Sequence, residues 1–225
     1  MEQNSERRQE CWYKDVCLAD SSECGLCIKY LEMEYLMESS NLPKARQKPQ
    51  LLSAPECDME QYIRLAEIKS DIVNFVEQGK NLYIASSMSG NGKTSWAIKL
   101  LLKYFDEVWA GNGFTVRGLF ISVPEFLLRS KDFKNTDAAF EQLKKYIPKV
   151  DLIIWDDIAS TNISAYDYSQ MLMYIDLRIL HEKANIFTSN FPSPDELGEK
   201  IGKKLASRIF GANTEVIIFK GGDMR

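Results

Sequence analysis

From residue 59 onward, short continuous apolar runs alternate with stretches of helical period. "MEQYIRLAEIKSDIVNFVEQGK" carries Ile63, Ala66, Ile72, Phe75 and Val76 on an approximate helical stripe, with Gly79 placed to cap its C-terminus. "NLYIAS" is a short buried strand, and a helix is predicted from Lys93 to Phe105. "RGLFIS" is a second strand; "VPEFLLRSKDF" opens a helix with Pro124 in its first turn, and "TDAAFEQLKKYI" is another helix. "VDLIIWDD" is an apolar run ending in two aspartates, as a central parallel strand would. A helix over 164–182, a strand "NIFTSN", a helix "SPDELGEKIGKKLASRIF" and a strand "TEVIIF" complete the series. The alternation predicts an α/β domain whose parallel sheet is flanked by helices.

The pattern is lost over residues 39–56, "SSNLPKARQKPQLLSAPE", where Pro43, Pro49 and Pro55 interrupt a polar stretch. This segment is expected to be a linker between a small module, 1–38, and the large domain, 57–225. The module holds Cys11, Cys17, Cys24 and Cys27 in "CWYKDVCLADSSECGLC". Four thiolates around Zn²⁺ would suit a unit too small to own a core, and four reduced structural cysteines are the alternative. Cys57 lies beyond the linker as a bystander. The helical stretch "IKYLEMEYLMESS" is apolar on more than one face, which suits a protein partner or burial against the cysteine loops. His181, the only histidine, reads as a helix cap.

The chain has 225 residues, 45% of them hydrophobic, with a net charge of −4. It is long enough for one sizeable domain, and any nucleic-acid contact must come from a local basic patch. No apolar run approaches membrane-spanning length, and the N-terminus "MEQNSERRQE" lacks the apolar core of a secretion signal, so a cytoplasmic protein is expected.

Between the first strand and its helix stands "SSMSGNGKTS", residues 86–95. Gly92-Lys93-Thr94 closes a phosphate-binding loop whose usual first glycine is Ser87 here. Serine can make that turn while φ stays negative. The loop Ser87, Met88, Ser89, Gly90, Asn91, Gly92 would present backbone N–H groups to phosphate oxygens, aided by the helix dipole. Gly90 and Gly92 allow positive φ and close approach. Lys93 would reach the β and γ phosphates of ATP, Thr94 would hold Mg²⁺, and Ser95 follows in the first helical turn. A chance Gly-Lys-Thr at a helix start is the alternative.

A nucleotide site of this kind needs a carboxylate opposite the loop. Asp156 is expected to be the acid on the magnesium side, and Asp157 to polarise the attacking water. Asp is one methylene shorter than the Glu many ATPases use there, which predicts slow or partner-stimulated hydrolysis. Two aspartates capping a strand end are the alternative. Asn190, at the tip of "IFTSN", can orient water near the γ-phosphate, or serve as a turn residue; Thr188 and Ser189 are weaker candidates. Arg208 lies among Leu205, Ile209 and Phe210 and is expected near the packing face, so a solvated basic face explains it less well than it explains Lys200, Lys203 and Lys204; the functional reading is an arginine presented to a neighbouring subunit's γ-phosphate.

The ordered set "SSMSGNGKTSWA", "LIIWDDI", "IFTSN", "KKLASRIF" and "IIFKGGDMR" resembles the AAA+ ATPases of the DnaC/DnaI helicase-loader group, which includes IstB-type transposition ATPases. "YIDLRILHEKANIFTSNFPSPDEL" also resembles that group, with Arg178 at its matching arginine. The resemblance covers residues 62–225. It implies an AAA+ P-loop core with no C-terminal lid, since the sequence stops soon after "TEVIIF", and an N-terminal module that binds both zinc and the helicase. It further implies a DnaB-type hexameric helicase and single-stranded DNA as partners, with self-assembly on the helicase ring. DNA contacts would come from Phe126, Arg129, Lys131, Phe133 and Lys134, unless that helix simply has a solvated basic face. A transposition ATPase and a non-hydrolysing nucleotide-binding adaptor are the alternatives. A small-molecule P-loop kinase fits less well.

Overall fold

The structure is a computed structural model, and it describes residues 9, 11–15, 17, 18, 20, 24, 27–47, 52–108, 114–131, 137–161 and 163–223. Five strands form one parallel sheet: β1 (Asn81–Ala85), β2 (Gly118–Ser122), β3 (Leu152–Asp156), β4 (Ala184–Ser189) and β5 (Thr214–Ile218). Their spatial order is β2-β3-β4-β1-β5. β4 therefore lies between β1, which leads into the phosphate loop, and β3, which ends at Asp156. In register, Ile84 pairs with Thr188 and Trp155 with Phe187, so the C-terminal ends of all three strands lie along one edge.

Alternation along each strand divides the core in two. Leu82, Ile84, Ile154 and Ile186 face one layer; Tyr83, Ile153, Trp155 and Phe187 face the other. The first layer holds α1 (Ile28–Ser39), α2 (Met59–Ser70), α3 (Ile72–Glu77) and α4 (Lys93–Glu107). The second holds α5 (Val123–Lys131), α6 (Ala138–Tyr146), α7 (Ala165–Leu180), α8 (Pro194–Ile201) and α9 (Lys203–Ile209). The three-layer α/β architecture and every strand expected from the sequence are present.

Three expectations are corrected. The stretch 59–80 is two helices broken at Asp71 (φ −123°, ψ 33°), and its buried stripe is Tyr62, Leu65, Ile68, Ile72, Phe75 and Val76. Ile63 and Ala66 face outward, because the inward stripe starts one residue earlier than the pattern suggested. The run 193–210 is also two helices, turned apart at Gly202 (φ 89°). Finally, α1 is not an open apolar surface. Tyr30, Met33, Leu36 and Met37 are buried, and the last three belong to the core beneath the sheet.

The expected linker begins as part of that core. Ser40 O accepts from Phe120 N–H (2.7 Å), Asn41 Nδ2 donates to Phe120 O (3.0 Å), and Leu42 is buried. The chain is thus tied along the free edge of β2. Among the described residues, no helix is long and apolar enough to cross a membrane.

Candidate nucleotide site

The loop after β1 turns at Gly90 (φ 75°) and Gly92 (φ 88°), left-handed conformations that a side chain would strain. Ser87 leaves the strand without a positive φ, so the missing first glycine costs the turn nothing. Ser87, Met88 and Ser89 are exposed, and Ser95 is half-buried in the first turn of α4. Lys93 Nζ curls back onto the loop, donating to Met88 O (2.7 Å) and Asn91 Oδ1 (3.0 Å). Burial lowers its pKa, while the charges of Asp157 and Asp156 oppose that shift. The lysine and both aspartates therefore share one electrostatic neighbourhood.

Asp156 is the junction of the site. Its Oδ1 accepts from Thr94 Oγ1 and from Thr188 Oγ1, both at 2.7 Å. Burial raises its pKa; the Thr188 and Thr94 hydroxyls and the charge of Arg46 pull the other way. A hydroxyl and a carboxylate in contact at the foot of a phosphate loop are hard oxygen donors that fit Mg²⁺, which takes few protein ligands and keeps waters. Asp157 adopts φ 61°, and its N–H donates to Thr188 Oγ1 (2.8 Å). Ile158 N–H donates to Thr188 O (2.9 Å), and Ser189 Oγ donates to Ile158 O (3.1 Å). The end of β3 is thus laced to the end of β4, and strained backbone is fixed where the two aspartates diverge. Asn190 follows at the tip of β4, half-buried.

Thr188, a weaker candidate in the sequence, is the residue that binds Asp156 and the Asp157 backbone together. Its position at the polar end of an apolar strand was visible, but its neighbour across the sheet depends on strand order. Arg46 had no signal at all. It lies in the stretch expected to be a linker, and only the docking of residues 40–42 on β2 brings its charge to bear on Asp156.

Several expected site residues have other employment. Arg208 is exposed, not on the packing face; Leu205, Ala206 and Ile209 fill that face of α9. Its Nε pairs with Asp176 Oδ1 on α7 at 2.6 Å. Phe126 is 3% exposed and packs against Phe140 and Tyr174, so base stacking is overturned by its place in the core. Arg129 pairs with Asp137 (3.0 Å) and lies over the Phe140 ring. Lys131 pairs with the buried Asp167 (2.8 Å), which closes the capping box of α7 with Ser164. These two cations are committed to fastening α5 to its neighbours. Phe133 and Lys134 lie outside the described residues.

Arg178 is fully buried far from the phosphate loop. It donates to the carbonyls of Ile147 (2.7 Å), Val150 (2.8 Å) and Ala184 (2.5 Å), and to Asn185 Oδ1 (2.7 Å). It pins the segments entering β3 and β4, a structural task. His181 is the capping residue of α7, as expected.

Among the described residues, no group of three or more His, Cys, Asp or Glu side chains is gathered as a metal would require. Cys11 Sγ instead accepts from Tyr13 N–H at 3.4 Å. Zinc binding by Cys11, Cys17, Cys24 and Cys27 is therefore not shown.

No family model and no curated protein sequence matches the chain. Solved structures do. The DnaC helicase loader aligns with a TM-score of 0.64 at 19% identity, over 79% of this chain and 100% of that one. DnaI aligns at 0.65 and 19%, over 80% and 95%. AMPPCP-bound DnaA from Aquifex aeolicus aligns at 0.56 and 18%, over 74% of this chain and 48% of that one. With the strand order, the phosphate loop and the Thr94–Asp156–Thr188 contacts, these likenesses show that the chain shares its P-loop α/β fold with DnaC, DnaI and DnaA.

Proposed function

We propose that the protein is an ATP-dependent loader that binds a DnaB-type replicative helicase and helps place it on single-stranded DNA. The observation that carries this is the contact of Thr94 and Thr188 with Asp156 beside Lys93, in a fold shared with helicase loaders. Mg²⁺ held by Thr94 and Asp156 would neutralise phosphate charge. Lys93 gives up Asn91 to meet the β and γ phosphates. Asp157 polarises the attacking water, and Asn190 orients it. Arg208 is free of the packing face, as a residue reaching a neighbouring subunit's γ-phosphate must be; Asp176 holds it ready until assembly on the helicase ring.

The helicase surface is assigned to residues 1–27, because the apolar face of α1 is spent on the core. Leu18 is exposed there, as is Ile28 beside it at the start of α1. With Phe126, Arg129 and Lys131 engaged internally, the DNA contact falls to Phe133 and Lys134.

The test is the mass of the complex formed with a DnaB-type hexamer in the presence of ATP, measured by light scattering after gel filtration. A complex that forms with the full chain and is lost when residues 1–27 are deleted is expected. A full chain that never joins the hexamer overturns the loader assignment.

A further inference from the structure

After β5 the chain returns across the phosphate loop. Phe219 N–H bonds Ala85 O (2.8 Å) at the end of β1. Asp58, 1% exposed beside the start of α2, then accepts from the N–H groups of Lys220 (2.7 Å) and Gly221 (2.9 Å). Gly221 O in turn accepts from Asn91 Nδ2 (3.4 Å), and the other end of the Asn91 amide, Oδ1, accepts from Lys93 Nζ (3.0 Å). A Cβ on Gly221 would stand 2.7 Å from Asp58 Oδ2 and 3.2 Å from Pro55 Cγ, so a side chain there would have to push the Asp58 carboxylate aside. Asn91 is itself buried. One unbroken chain of polar contacts thus runs Asp58, Gly221, Asn91, Lys93.

We propose that residues 219–223 form a strap that reports whether the phosphate loop is filled: through Asn91 the strap favours the empty loop, and phosphate binding slackens it. The inference rests on the nucleotide site proposed above. Lys93 spends two of its three N–H donors on Met88 O and Asn91 Oδ1; meeting the β and γ phosphates together takes two donors, so one of these bonds must be given up, and it is the bond to Asn91, whose side chain can turn where the Met88 carbonyl cannot. Once Lys93 leaves, Asn91 Oδ1 is a buried acceptor without its cation, and such a group turns toward another donor. Turning the amide withdraws Nδ2 from Gly221. Because coupling between two sites is reciprocal, whatever loosens the strap must also ease phosphate binding.

The experiment uses the full chain with ATP and Mg²⁺, following binding by calorimetry and, in the same samples, hydrogen exchange of the peptide that carries the Lys220 and Gly221 amides. In the wild type, saturating ATP is expected to speed exchange of these amides roughly fivefold, the factor one net hydrogen bond supplies. Asp58→Ala, which removes both anchors, is expected to tighten ATP binding by roughly the same factor. Asn91→Ala is expected to leave strap exchange indifferent to ATP. If Asp58→Ala does not fold, Gly221→Ala serves, since its Cβ crowds the Asp58 carboxylate that anchors the strap. ATP that binds while strap exchange stays unchanged overturns the strap and spares the nucleotide site. Absence of any binding heat overturns both.

Discussion

Replacing Thr188 by valine keeps the shape of the side chain and removes one hydroxyl. In the structure that hydroxyl donates to Asp156 Oδ1 at 2.7 Å and accepts from Asp157 N–H at 2.8 Å. The first bond serves a buried carboxylate, worth about 1.5–3 kcal/mol; the second satisfies a half-buried backbone donor, whose loss costs about 1 kcal/mol. Thr94 still holds Asp156, so the carboxylate is not orphaned, and the expected loss is about 3 kcal/mol. Because the hydroxyl lowers the Asp156 pKa, its removal raises that pKa further above the unfolded value. A folded pKa that is raised favours folding at low pH and loses that advantage as pH rises. The deficit of Thr188→Val should therefore be smallest near pH 4 and grow toward pH 7, as the ionised form becomes the one that needs the donor. Urea unfolding at the two pH values measures it. A variant within 0.5 kcal/mol of the wild type at pH 7, on the order of a neutral surface substitution, would refute the role given to Thr188.

Arg178→Met removes the donor of three buried carbonyls and of Asn185, and is expected to cost about 3–5 kcal/mol in urea unfolding, with ATP affinity per folded molecule unchanged. Leu36→Ala should cost about 2–5 kcal/mol, since Leu36 has no exposure in the core; a loss under about 1 kcal/mol would mean that α1 does not pack on the sheet. Arg46→Ala takes a positive neighbour from Asp156, so carboxyl NMR should find the Asp156 pKa higher than in the wild type. An unmoved titration would place Arg46 too far away to matter.

The sheet was legible because buried parallel strands write themselves as continuous apolar runs, as in "NLYIA" and "LIIWD". The phosphate loop was legible because its chemistry is local: Gly90, Gly92, Lys93 and Thr94 stand within five residues. Helix breaks at Asp71 and Gly202 were not, since both sit inside sequences of good helical period. The larger errors concern residues whose task is set at a distance. Phe126 looked available for bases until Phe140 and Tyr174 closed over it. Tyr30, Met33, Leu36 and Met37 looked like a partner surface because nothing in "IKYLEMEYLMESS" reveals the sheet layer that covers them. Arg46, Thr188 and Asp58 act on partners 110, 32 and 162 residues away along the chain, reached only through strand order and the returning C-terminal segment.

The central claim is that Lys93, Thr94 and Asp156 form a magnesium-nucleotide site. It is tested most directly by calorimetric titration of ATP, with and without Mg²⁺, into the wild type and Lys93→Ala. The wild type should bind ATP more tightly with Mg²⁺ than without it, and Lys93→Ala should lose most of that affinity. A wild type that binds no ATP, or a Lys93→Ala variant that binds it equally well, would contradict the account.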